Sequence, residues 1–139
     1  MSTQKTLNKP ALRKKTTVNP LQKKLPLFAP IPQRSLEYFG LVNYATTERV
    51  IEEIRKFVIE DPYEEIYLTV TSAGGPTGTA MSFYDHMRSV LHPPLVTIGS
   101  GDVDSSGILI FLSGEKRYLT KNTTLLLHRA GRCFEPGTR

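Results

Sequence analysis

At residues 99–114 the sequence reads GSGDVDSSGILIFLSG, a glycine-rich turn that runs into an apolar block and closes on the Ser-Gly pair at 113–114. The turn brings Ser105 to the start of a buried element. The first turn of a helix offers backbone N–H groups without partners and a partial positive charge. An oxygen nucleophile and a developing oxyanion could both be stabilised there.

The same stretch partly fits three other patterns. Ser, Asp and Gly before an apolar run are also ordinary helix-capping residues. A calcium loop would use Asp102, Asp104, Ser106 and Gly107, but its twelfth position, where a bidentate Glu is needed, is Ser113. The dinucleotide-binding fingerprint fails because its third glycine is missing.

The composition predicts one domain with a modest core, since the chain has 139 residues and 39% of them are hydrophobic. No apolar run approaches the roughly 18 residues of a membrane span, and no secretory signal is recognisable, so we expect no membrane association and a cytoplasmic location. Cys133 is the single cysteine, and with the three histidines it shows no metal-ligand spacing. We therefore expect no metal and no other cofactor.

The net charge of +5 is concentrated at the N-terminus. Residues 1–36 hold eight basic residues and no acidic ones, whereas residues 37–139 hold ten basic and thirteen acidic ones. Five prolines interrupt residues 1–34 and their apolar residues follow no period, which predicts a mobile arm before a folded domain at 35–139. A polybasic, acid-free arm can bind nucleic acid or an anionic surface, or act as an import sequence, but a solvated tail is the simpler interpretation.

The rest of the chain predicts alternating strands and helices. Strands are expected at 36–42, 66–71, 95–98 and 123–128. A first helix should be capped by Thr46 or Thr47 and end at Asp61-Pro62. A second helix should run from about Gly78 to Pro93-Pro94. This order implies crossover units and a mainly parallel sheet, hence an α/β fold.

The turns that follow parallel strands gather at one edge of the sheet, where open α/β proteins bind ligands. Gly74-Gly75 and the turn before Ser105 both follow strands, and His128 ends the last predicted strand. Serine, histidine and a glycine-lined backbone pocket are the parts needed for acyl transfer. Alone, His128 would more simply be a packed or solvated histidine.

Residues from about Leu36 to Arg139 resemble the ClpP family, the proteolytic subunits of Clp protease. The segments that carry the resemblance are Asp61-Pro62, IYLTVTSAGG at 66–75, MSFYDHM at 81–87, GDVDSSGILIFLSG at 101–114 and LLLHRA at 125–130. The resemblance implies a ClpP/crotonase fold, Ser105 as nucleophile and His128 as general base. It also implies an oxyanion hole from the amides of Gly75 and Ser106.

The resemblance further implies rings of identical subunits, an ATP-driven AAA+ unfoldase as partner, and unfolded proteins or peptides as substrates. The family's third triad residue, an acid, and most of its ring-to-ring handle would follow Arg139, so we expect a head domain that lacks both. With Glu135 the only acid after His128, we expect the 139-residue chain to be a poor peptidase.

The sequence departs from the family pattern at four positions. Ala73 replaces a proline, Pro76 removes an N–H next to the glycine pair, and Asp102 and Asp104 replace neutral residues. A carboxylate that faced the oxyanion would raise the barrier. Two alternatives therefore stay open: a catalytically silent subunit of a mixed ring, and an acyl-CoA-processing enzyme of the crotonase fold.

Overall fold

The computed structural model describes residues 30–129 and residue 131. Most of the expected basic arm, at 1–29, lies outside the described residues, as do Cys133 and Glu135. Within the described part, four strands alternate with three helices. They are β1 (Ser35–Phe39), α1 (Tyr44–Glu60), β2 (Ile66–Ser72), α2 (Thr77–Asp85), β3 (Leu95–Val103), α3 (Gly107–Leu112) and β4 (Lys116–Leu119).

The strands form one sheet in the order β1-β2-β3-β4, and each neighbouring pair is parallel. This confirms the α/β architecture with a parallel sheet that the alternating pattern predicts. A sequential parallel order requires each connection to cross over the sheet, and the helices supply those crossovers. The carboxyl ends of β2 and β3 therefore lie side by side, which brings together the two turns that the sequence singled out.

The core lies between the sheet and the three helices. Tyr38 is fully buried at its centre, with its ring edge-on to Phe83 and its hydroxyl 2.8 Å from the Thr47 hydroxyl. A smaller cluster, which contains residues of β2 and β3 but none of a described helix, joins Tyr67, Val96 and Ile98. β2 is thus buried on both of its faces, as its run of apolar and β-branched residues predicts.

Several boundaries differ from the sequence-based expectation. Asn43, and not Thr46 or Thr47, caps α1, because its side-chain oxygen accepts the Thr46 N–H at 2.9 Å. The second predicted helix ends as α2 at Asp85 and continues as a π-helical turn over His86–Leu91, before Pro93. β3 runs on to Val103, five residues beyond the predicted end.

The prediction of a strand at 123–128 is wrong. The segment makes one isolated bridge, between Thr124 and Asp102, and is otherwise irregular. The ladder breaks because the Leu126 N–H donates to the side-chain carboxylate of Asp104 at 2.9 Å instead of to a backbone carbonyl. The segment still runs beside the end of β3 and the turn after it, and its backbone accepts the N–H groups of Val103 and Ser105.

Arg34, which the sequence analysis assigned to the arm, is buried. Its guanidinium group donates to the carbonyls of Phe57, Asp61, Glu64 and Glu65 and lies 5.1 Å from the centre of the Phe57 ring. The Phe57 carbonyl belongs to the last turn of α1, and the other three carbonyls lie in the segment between α1 and β2. The folded part of the chain therefore begins before Ser35.

No helix in the described residues has the length and apolar character needed to cross a membrane.

Candidate active site

The candidate site lies where the turns after β2 and β3 meet. The Asp104 N–H donates to the carbonyl of Ser72 at 2.8 Å, and this bond joins the turn after β3 to the end of β2. The Ser105 N–H donates to the Leu126 carbonyl, also at 2.8 Å, and so brings in the segment that carries His128. Three stretches that are distant in sequence thus meet around Ser105.

Ser105 has a left-handed backbone conformation, with φ of +53°. Few residues other than glycine adopt this region, and it persists only where the surroundings impose it. Here the bond to Leu126 and the start of α3 impose it, since the Ile108 N–H donates to the Ser105 carbonyl at 3.1 Å. The conformation turns the hydroxyl of Ser105 toward a cavity of about 210 Å³, which Gly75, Ser106 and His128 also line.

The close approach of the two turns requires glycine in the first of them. A Cβ atom on Gly74 would lie 2.7 Å from the Cβ of Ser105, and one on Gly75 would lie 2.3 Å from the carbonyl oxygen of Val42. Gly74 also has a positive φ of +95°. Because Gly74 has no side chain, the backbone of this turn can approach the nucleophile closely. A side chain at that position would push the two turns apart.

Gly75 and Ser106, the two residues expected to stabilise an oxyanion, are in contact. The buried Ser106 hydroxyl donates to the Gly75 carbonyl at 2.9 Å. Within residues 30–129, no acceptor contacts the backbone N–H of either residue. Both residues line the cavity that also contains Ser105 and His128.

His128 and Ser105 are within hydrogen-bonding distance. The Nε2 atom of His128 lies 2.7 Å from the Oγ atom of Ser105. The Nδ1 atom of His128 lies 3.0 Å from the carbonyl oxygen of Arg129, which can only accept a hydrogen bond. In the neutral ring Nδ1 then carries the proton, and Nε2 is left to accept the proton of the Ser105 hydroxyl.

The Arg129 carbonyl fixes the tautomer of His128, a role that the sequence analysis did not identify. A carbonyl orients the ring without the full negative charge that stabilises an imidazolium. Among the described residues no carboxylate contacts Nδ1.

The two unusual acids of the glycine turn also have partners. Asp104 accepts the N–H of Leu126, and Asp102 accepts the hydroxyl of Thr124 at 3.1 Å. Both bonds lead to the segment that carries His128. Sequence analysis did not find the partner of Asp104 or the role of the Arg129 carbonyl, because backbone partners leave no residue-type signal.

A larger cavity of about 420 Å³ lies between α1 and α2. Its titratable residues include Glu48, Glu52, Arg55 and His86, and the Nε2 atom of His86 lies 3.4 Å from the guanidinium of Arg55. That histidine thus faces a cation and not a hydroxyl. The smaller cavity contains the nucleophile–base pair, so we take it as the candidate site.

In the described part of the chain, no three His, Cys, Asp or Glu residues are grouped closely enough to hold a metal ion.

Comparison with known families identifies the chain. Residues 30–136 match the family model described as Clp protease. This chain belongs to the Clp protease family. Its parallel sheet and crossover helices are accordingly those of a ClpP/crotonase-like fold.

Three curated relatives give the extent of the similarity. The proteolytic subunit 2 of the ATP-dependent Clp protease of Bifidobacterium longum is 34% identical over 83 residues, or 58% of this chain and 40% of that protein. The subunit 2 of Tropheryma whipplei is 39% identical over 72 residues, or 50% of this chain and 39% of that protein. The subunit 1 of Leifsonia xyli is 40% identical over 72 residues, or 50% of this chain and 36% of that protein. The matched part of this Clp-family chain thus spans about two-fifths of the length of these relatives.

Proposed function

We propose that this chain is a ClpP-like serine endopeptidase subunit, which hydrolyses peptide bonds of unfolded proteins through an acyl-enzyme on Ser105. The observation that carries the proposal is the 2.7 Å contact between Ser105 Oγ and His128 Nε2, with the other ring nitrogen on a carbonyl. This distance is the one needed for direct proton transfer from a hydroxyl to a general base.

The geometry supports a two-step mechanism. In the first step, Ser105 Oγ attacks the peptide carbonyl carbon as His128 Nε2 takes the hydroxyl proton. The amides of Gly75 and Ser106 stabilise the oxyanion. The C–N bond then breaks, the leaving amine takes the proton from His128, and the acyl group stays on Ser105. In the second step, His128 removes a proton from water as the water oxygen attacks the acyl carbon. The bond between that carbon and Ser105 Oγ then breaks, His128 returns the proton to Oγ, and the acid is released.

The relatives' names describe proteolytic subunits of an ATP-dependent protease. By analogy with these relatives, we propose that identical subunits assemble into a ring and that an AAA+ unfoldase delivers unfolded substrates to it. The chemistry described here uses only side chains and backbone, so the proposal includes no cofactor. The cytoplasmic location stays a prediction from the sequence.

One observation favours a second candidate, a catalytically silent subunit of a mixed ring. In the described residues no carboxylate stabilises the imidazolium that would form at His128. Such a subunit would keep the fold and the Ser105–His128 contact but would not form an acyl-enzyme. The crotonase-type alternative has no comparable support in the site.

Acyl-enzyme formation separates these candidates. We would mix the chain with a p-nitrophenyl ester of a short N-blocked peptide and record both the release of p-nitrophenolate and the mass of the protein. The ester has a good leaving group, so the first step needs little help from an acid. We expect one acyl group per chain on Ser105 and none in Ser105→Ala, with Ser100→Ala as the matched control that still acylates. An acyl group that persists in Ser105→Ala would refute the peptidase proposal, and no acylation of any variant would favour the silent subunit.

A further inference from the structure

Asp104, the residue directly before the nucleophile, contacts three parts of the site. Its N–H donates to the Ser72 carbonyl, and its carbonyl accepts the N–H of Gly107, both at 2.8 Å. Its side-chain Oδ1 accepts the N–H of Leu126 at 2.9 Å. The backbone of Asp104 is thus bonded to the end of β2 and to the start of α3, whereas its side chain is bonded to the segment that carries His128.

Leu126 is held at both of its backbone polar groups. Asp104 Oδ1 accepts its N–H, and the N–H of Ser105 donates to its carbonyl. Both bonds come from consecutive residues of the nucleophile turn, so they fix the position and the direction of the chain at residue 126. His128 follows only two residues later, within about 7 Å of chain.

Burial does little to hold this segment. The side chains of Leu125, Leu126 and Leu127 are 48%, 57% and 78% exposed. The segment is not part of a regular strand in the described structure. Because this segment buries little apolar surface and its strand ladder is interrupted, the placement of His128 depends on a few hydrogen bonds. The hydrogen bond to Asp104 is charge-assisted.

We propose that Asp104 is a positioning residue for the acyl-transfer site, which holds the His128 segment against the nucleophile turn so that Nε2 reaches Ser105. This inference rests on the proposed function of that site. It also gives a role to an acid that, beside a nucleophile, would otherwise oppose a developing negative charge. Asp104 is half-buried as a residue, and its carboxylate accepts an N–H donor in an exposed hydrogen bond.

Asp102 supplies the matched comparison. It is also an acid of the same turn, and its Oδ1 accepts a hydroxyl of the same segment, from Thr124. That bond joins two exposed side chains, is longer at 3.1 Å, and lies four residues before His128. We therefore expect loss of Asp102 to affect the site much less than loss of Asp104.

The test measures two quantities in the full chain: the rate at which a fluorophosphonate probe labels Ser105, and the hydrogen-exchange rate of the Leu126 amide. In Asp104→Ala we expect labelling to slow at least tenfold and Leu126 to exchange at least tenfold faster. Asp104→Asn keeps an Oδ1 acceptor and should stay within about threefold of the parent in both. Asp102→Ala should stay within about twofold.

Asp104→Glu separates position from charge. It keeps the negative charge but moves the carboxylate out by one methylene group, so a positioning role predicts slow labelling, whereas a requirement for charge alone predicts the parent rate. Should Asp104→Ala fail to fold, as judged by its circular dichroism, the contrast between Asp104→Asn and Asp104→Glu decides the question.

Equal labelling rates in the parent and Asp104→Ala would overturn the inference, and so would an unchanged Leu126 exchange rate. If the parent is not labelled at all, the proposed function fails. The positioning claim is then judged by exchange alone: faster exchange of Leu126 in Asp104→Ala but not in Asp102→Ala supports it, and no difference refutes it.

Discussion

Ser105 reaches its partners because the neighbouring turn contains no side chain where the two backbones meet. A methyl group on Gly74 would lie only 2.7 Å from the Cβ of Ser105, which is too close for two carbon atoms. The positive φ of Gly74 would also strain any other residue at that position. The position of the nucleophile thus depends on a residue that has no chemistry of its own.

We expect Gly74→Ala to push the two turns apart and to slow fluorophosphonate labelling of Ser105 by about tenfold or more, since small displacements of reacting groups are costly. Gly78→Ala is the control, because a Cβ there meets nothing within 4 Å and its φ is not in the left-handed region. Labelling at the parent rate in Gly74→Ala would show that the contact between the turns is not required.

The hydroxyl of Ser106 has a role separate from its amide. It donates to the Gly75 carbonyl and so links the two residues whose amides are proposed to stabilise the oxyanion. Ser106→Ala keeps the amide but loses this bond, which is worth about 1 kcal/mol. We expect a threefold to tenfold slower acylation of Ser105 by the peptide ester.

Ser113→Ala provides the control for that change. Ser113 is also a buried serine whose hydroxyl donates to a backbone carbonyl, that of Ile110, but it ends α3 away from the glycine pair. Both variants should lose similar stability on heating, and only Ser106→Ala should lose acylation rate. Equal losses of acylation in both would contradict a specific role for Ser106.

At the level of elements, a side-chain cluster connects β2 and β4 across the start of β3. Glu65 precedes β2, and its carboxylate accepts hydrogen bonds from the Lys116 ammonium, at the start of β4, and from the Tyr67 hydroxyl at 2.8 Å. These bonds, chiefly that from Lys116, lower the pKa of Glu65 below its ordinary value. The same bond raises the pKa of Lys116.

The lowered pKa of Glu65 sets the sign of a pH effect. A carboxyl group with a pKa below its unfolded value adds stability above the unfolded pKa and loses it as the pH falls through the folded one. We expect the midpoint of thermal unfolding to fall more steeply below about pH 4.3 in the parent than in Glu65→Gln. The difference should be only about 1–3 °C, because the cluster is exposed and salt screens it.

Glu48→Gln, which removes an exposed acid of α1, should keep the pH dependence of the parent. If the difference in unfolding midpoint between the parent and Glu65→Gln stays constant from pH 7 to pH 3, the stabilising role of the Glu65 carboxylate is contradicted.

The elements also mark what could be predicted from sequence. β2 and the turn after it were predictable, since β-branched residues run into two glycines, and so were the apolar faces of α1 and α2. The irregular segment at 123–128 was not, because its composition favours a strand and only the side chain of Asp104 interrupts the ladder. Asn43 was missed as a cap because two threonines nearby fit the same pattern.

At the level of the whole molecule, the sequence could pair Ser105 with His128 but could not predict how the imidazole is oriented. The Arg129 carbonyl that accepts from Nδ1 is a backbone group that every residue has. The matched part of the chain covers about two-fifths of the length of its curated relatives.

We therefore expect the 139-residue polypeptide to turn over a fluorogenic dipeptide slowly. The Arg129 carbonyl orients His128 but does not carry the charge of a triad acid, and loss of that acid lowers the turnover of a serine protease by about 10⁴. The measurement compares the parent with Ser105→Ala and Glu135→Gln. Efficient turnover that Ser105→Ala abolishes would contradict this expectation, and its loss in Glu135→Gln would identify Glu135 as the acid.

The central claim is that His128 activates Ser105, and mapping of a fluorophosphonate adduct tests it most directly. We expect the adduct on Ser105, and labelling about 10² slower or more in His128→Gln, since a general base contributes at least that much. His86→Gln, which changes the histidine beside Arg55, should label at the parent rate. An adduct on Ser100 or Ser106, or labelling of Ser105 at the parent rate in His128→Gln, would contradict the claim.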